Sequence, residues 1–192
     1  MAKNYEFRPD KPQVSWLSKL HLTQLQRQAL LKWTLYALFL LVLSLLQDVV
    51  LARFRLFEAT TELVPCAIFL ICIMEGSHAG SLFSLISACL YVFSGSAAGP
   101  YSLILITALA IFVCIFRQGY LQKGFAAAML CTGFAVIVYE AAIFAIGLVT
   151  GLTIPARFIG FAITAGLTIL TAPILYPIIL SIGSIGGDTW KE

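Results

Sequence analysis

Between Phe158 and Ile182 the chain runs for 25 residues without one charged side chain. A helix of that length is about 37 Å long, more than the roughly 30 Å hydrocarbon core of a bilayer. Trp33–Leu51, Ala98–Phe116 and Gly124–Val149 are also long enough to cross outright, and the shorter runs Leu63–Met74 and Ala79–Phe93 complete a set of six. The runs are continuous, whereas a transmembrane barrel would alternate apolar and polar residues over segments of about ten. Only 11% of the residues are charged, against about 25% in a soluble domain. Too little polar surface remains to cover a water-soluble globule, which excludes a soluble enzyme, a disordered chain and a nucleic-acid-binding domain. The expected fold is all-α: a polytopic membrane protein with six transmembrane helices.

Charge distribution orients the chain. Six of the twelve basic residues, Lys3 to Lys32, precede the first run. With a cytoplasmic N-terminus and six crossings, Arg117, Lys123 and Lys191 join them, and Arg53, Arg55 and Arg157 fall on the other side. Nine against three obeys the positive-inside rule. The expected organisation is a basic cytoplasmic tail (1–32), a membrane domain (33–183) and a short cytoplasmic tail (184–192). Within the first tail, Trp16–Lys32 reads as an interfacial helix near anionic head groups or as a loosely ordered stretch. The second and third runs are short enough to be tilted or shielded by other helices.

Little points to catalysis or metal binding. The five cysteines lie in apolar segments with no CxxC, and read as packing residues rather than disulfides. His21 and His78 have no converging ligands in the sequence, and there is no P-loop or nucleophile elbow. No cofactor is expected.

The small residues say more. Gly76, Gly80, Ser84 and Ala88 recur every four residues and form one stripe on the third segment; Gly160, Thr164, Thr168 and Ala172 do the same on the sixth. In lipid, helices associate by close backbone approach over such residues, so both stripes read as helix-packing or partner faces, able to meet each other. Pro173 and Pro177 should bend the sixth helix. The uncharged link Ser94–Pro100 is a tight turn in which Gly95 and Gly99 can take positive φ. Glu140 is the one acid deep in a long apolar run, where exposure to lipid costs about 2.5–3.5 kcal/mol. It should face the bundle, a partner or a ligand, or be protonated and pack as a neutral, hydrogen-bonded acid. Asp48, near Arg53, reads as a solvated helix end.

The stretch from about Ser44 to Phe144 resembles the rod-shape-determining MreD family. The residues that carry the likeness are Gln47 at the end of the first segment, Arg53 in the loop after it, and Pro65 opening the second segment. Glu75-Gly76, Gly80, Ser94-Gly95 and Gly99 follow. Tyr91 stands where family members commonly carry the Asp of a D-x-x-S-G pattern. The resemblance implies a six-helix fold similar to the substrate-binding subunits of energy-coupling-factor vitamin transporters. It also implies a non-enzymatic scaffold in the bacterial cytoplasmic membrane, serving the cell-elongation complex. The implied partners are an MreC-like bitopic protein, an MreB-like cytoskeletal filament, the side-wall glycosyltransferase and transpeptidase, and membrane lipids. The alternative is a vitamin-binding transporter subunit, although the links Arg53–Glu62, Ser94–Gly99 and Thr150–Arg157 offer few polar groups for a vitamin.

Overall fold

The computed structural model describes residues 24–51, 61–120 and 124–185. The basic tail up to residue 23, Arg53, Arg55, Lys123 and the tail from residue 186 onward lie outside them. Six α-helices make up the described chain: α1 (Gln24–Leu45), α2 (Leu63–Glu75), α3 (Ser77–Phe93), α4 (Tyr101–Tyr120), α5 (Phe125–Val149) and α6 (Phe158–Gly183). Among the described residues there is no strand. Four helices are long and apolar enough to cross a membrane, namely α1, α4, α5 and α6; α2 and α3 are shorter apolar helices.

The shortest helix is the hub. Every residue of α2 from Leu63 to Met74 is buried, and α2 packs against each of the other five helices. A helix wrapped by protein on all sides presents no face to lipid, so its thirteen residues need not match the bilayer thickness. Pro65 sits at the third position of α2, where the missing N–H would have no intrahelical partner. Gly76 ends the helix with φ 91°, a backbone conformation that a side chain would strain, and α3 starts on the next residue. At the far end of α3, Gly95 turns the chain with φ 78°.

Boundaries shift from the sequence reading by two residues or more at α1, α3 and α4: α3 begins at Ser77 rather than Ala79, and α4 runs Tyr101–Tyr120 rather than Ala98–Phe116. α1 begins by Gln24 rather than at Trp33, because Gln24–Lys32 holds neither Gly nor Pro to stop a helix. Its last turn, Leu46–Val50, widens into a π-helical turn. α6 runs unbroken through Pro173 and Pro177.

Large apolar side chains cover the outside of the bundle, among them Leu82, Leu90, Ile104, Leu130 and Leu170. Ser84, Thr132, Glu140 and Thr168 are inside. Apolar out and polar in is the arrangement lipid demands and water penalises.

Candidate functional site: two polar layers at the ends of the buried helix

Each end of α2 meets a layer of polar side chains. At the C-terminal end, the Lys32 ammonium of α1 donates to Glu75 Oε2 at 2.6 Å. The Tyr36 hydroxyl donates to Glu75 Oε1 at 2.8 Å and lies 3.4 Å from the Ile179 carbonyl of α6. A side chain at Gly183 would meet the Tyr36 hydroxyl, so α6 approaches closely there. Trp33, Tyr36 and Phe83 pack their rings around the pair, and Lys32 lies over the Trp33 ring. The Glu75 side chain is 3% exposed and that of Lys32 11%, so the ion pair is almost wholly screened from solvent. Arg117 is buried at the same end, at the close of α4.

The second layer sits at the start of α2. The π-helical turn carries Gln47, whose Oε1 accepts from the Val64 N–H at 3.1 Å and whose Nε2 donates to the Tyr91 hydroxyl at 3.2 Å. One amide thus caps α2 and ties it to α3. The Glu62 N–H donates to Thr168 Oγ1 of α6 at 3.1 Å. Tyr139 OH lies beside the Glu62 carboxyl and the Ser102 hydroxyl. The Tyr139 hydroxyl is near both groups but at bonding geometry with neither, and among the described residues Glu62 Oε2, Ser102 Oγ, Tyr139 OH and Glu140 Oε1 are buried without a hydrogen-bond partner. Glu140 lies within electrostatic reach of Glu62. Along α1, Lys32 and Gln47 are about 22 Å apart at the helical rise. Layer to layer is therefore shorter than the hydrocarbon core, while α5 and α6 continue past Glu140 and Thr168.

The residues singled out in the sequence distribute as follows. Gly80 meets α2 so closely that an added Cβ would lie 2.8 Å from the Cys72 carbonyl oxygen; Ser84 and Ala88 are fully buried on the same helix. Thr164 and Thr168 are buried on α6, with Cys66 Sγ 3.8 Å from the Thr168 carbonyl. Gly160 has nothing within 4 Å, so the packed part of its stripe begins at Thr164. The contacts of Gly80 and Thr168 both lead to α2, so the two stripes flank that helix instead of pairing face to face. Gly76 adjoins Gln118 of α4. Ser94 donates to the Tyr91 carbonyl at 2.8 Å, and Ser96 donates to Asp48 at 2.7 Å, closing the α3–α4 link onto α1. Of the two link glycines only Gly95 takes positive φ; Gly99 makes room for the Tyr101 ring. Glu140 is 3% exposed. His78 is exposed, and Glu75 bonds Lys32 and Tyr36 instead of it. The four buried cysteines and Cys89 are all free.

Four participants were not singled out by the sequence reading: Tyr36, Glu62, Ser102 and Tyr139. Tyr36 and Tyr139 look like any aromatic in a lipid helix, and Ser102 like the opening of one. Glu62 stands at the boundary between a charged link and an apolar run, where an acid normally reads as solvated. It is half-buried with one carboxyl oxygen inside, because α2 lies within the bundle, which periodicity does not report.

Comparison with protein-family models, curated proteins and solved structures finds no match to this chain.

Proposed function

We propose that the chain is a non-enzymatic scaffold of the MreD kind. It works in the bacterial cytoplasmic membrane with both termini in the cytoplasm, and holds the cell-elongation machinery together. The residues behind the resemblance serve here as architecture: Gln47 fixes one end of α2, bonding also to Tyr91, which departs from the family's Asp; Glu75 fixes the other end, and Gly80 packs on the α2 backbone.

The observation that carries the reading is a lipid-facing groove of about 320 Å³ between α1 and α3. Its walls are mostly apolar, with Ala37 and Leu41 on one side and Ile86 and Leu90 on the other. Ser44, Ser87 and Ser94 add hydroxyls along it, and Tyr91, at the motif position, lies at its edge. Small residues and hydroxyls are what a second membrane helix packs against. The occupant in this reading is the single transmembrane helix of an MreC-like bitopic partner. The basic tail and cytoplasmic links would serve an MreB-like filament, and the glycosyltransferase and transpeptidase would dock on the remaining faces.

Photo-crosslinking amino acids at Leu41 and Leu90 test this in a rod-shaped host. Both positions should capture a bitopic partner, whereas Ile174, exposed on α6, should not. Depletion of the protein should round the cells. A stoichiometric vitamin in the purified protein, with normal cell shape after depletion, would replace this reading with the transporter-subunit one.

A further inference from the structure

Glu62, Ser102, Tyr139 and Glu140 carry four buried oxygens without a hydrogen-bond partner among the described residues, and the side chains act on one another from the start of α2, the start of α4 and the middle of α5. Ser102, Tyr139 and Glu140 are 0%, 1% and 3% exposed. An unsatisfied buried oxygen is costly, and the half-buried Glu62 and the buried Glu140, within electrostatic reach of each other, disfavour double ionisation without a counter-charge. The charged groups that act on the cluster are themselves acids: Glu62, Glu140 and, on Tyr91, Asp48. The cations among the described residues are elsewhere. Lys32 is held by Glu75. Arg117 stands about 22 Å along α4 from Ser102. Arg27 and Arg157 are exposed at the starts of their helices, as is His78 on α3.

We propose that this cluster binds one small, hard cation, seated between the Glu62 and Glu140 carboxylates, with the Ser102 and Tyr139 hydroxyls filling part of its coordination shell. Every donor is an oxygen, and neither His nor Cys is among them. That donor set selects magnesium, calcium or sodium over zinc or copper. Two carboxylates are neutralised by a divalent ion, which is the expected occupant. Bound there, the ion links the beginning of the central helix to α4 and α5. The site does not depend on the scaffold reading.

The test uses the full-length protein in mild detergent, stripped with a chelator and then given MgCl2, CaCl2 or NaCl. N-methyl-D-glucamine chloride holds ionic strength constant. A saturating divalent salt should raise the unfolding midpoint by about 5 °C, and equilibrium dialysis should find one ion per chain. Glu62→Gln and Glu140→Gln should each abolish the shift and the bound ion; Asp48→Asn, which bonds Ser96 at the exposed rim, should keep both. If the amide variants fail to fold, Ser102→Ala replaces them, with affinity reduced about tenfold by the loss of one coordinating oxygen. A shift with NaCl alone supports the same site with one carboxyl protonated. The proposal is overturned if no salt exceeds the ionic-strength control, or if the folded glutamine variants bind as the parent does.

Discussion

Gly80 and Gly160 show how differently two residues of the same kind can be placed. Both belong to four-residue stripes of small side chains, and the sequence treats them alike. At Gly80 an added Cβ would lie 2.8 Å from the Cys72 carbonyl oxygen and 2.9 Å from its Cα. Both obstacles are backbone of the buried helix, which cannot swing aside. Gly80→Ala should therefore cost about 1–3 kcal/mol, read as a fall of several degrees in the unfolding midpoint in detergent. At Gly160 a Cβ would meet nothing within 4 Å. Gly160→Ala should be neutral or stabilise by up to about 1 kcal/mol, because alanine gives up less backbone entropy in a helix. Equal losses at both positions would sink the argument. The spacing showed that these residues share a face, since that depends only on the pitch of a helix. Which faces meet protein depends on where α2 goes, and no local pattern encodes that.

At the scale of elements, α2 is held at both ends by side chains of other helices. Lys32 and Tyr36 grip Glu75, and Gln47 caps Val64. Neither charge of the Lys32–Glu75 pair is well solvated, so losing one partner strands the other in a medium that cannot hydrate it. Lys32→Met and Glu75→Gln should each destabilise the bundle. The double variant should lose less than the sum of the two by about 0.5–3 kcal/mol, the usual coupling for groups in contact. Strict additivity in that cycle would mean the two charges are solvated independently and the clamp is not a unit. Glu75 was visible in the sequence as half of a Glu-Gly link, and Gln47 as the polar end of the first run. Their partners were not, because an ion pair 43 positions apart in the chain leaves no periodic trace. The same holds for Glu62 and Tyr139, which the fold brings together from opposite halves of the chain.

For the whole molecule, composition and run length sufficed for an all-helical membrane protein, and six helices match six apolar runs. Charge counting alone does not distinguish two crossings by the short second and third runs from a pair that dips in and returns, since both arrangements put the later links on the same sides. The side-chain bonds bear on that choice. α1 runs from Lys32 to Gln47, and α2 from beside Gln47 back to beside Lys32. α3 then returns from the Glu75 end to Tyr91, beside Gln47 again. Each short helix thus traverses the full distance between the two polar layers. That path favours two crossings over a shallow dip, and α2, buried among its neighbours, follows it with thirteen residues. If all six helices cross, nine basic residues fall on one side and three on the other, and the proposed orientation puts the Lys32 end in the cytoplasm. Single cysteines at Gln13, Gln122 and Asp188 should therefore resist an impermeant thiol reagent in intact cells and react after permeabilisation. Cysteines at Glu58 and Thr153 should react without it. Labelling of Asp188→Cys from outside the cell would remove one crossing, and labelling of Gln13→Cys together with Asp188→Cys would invert the protein, placing the Lys32–Glu75 layer on the outer face.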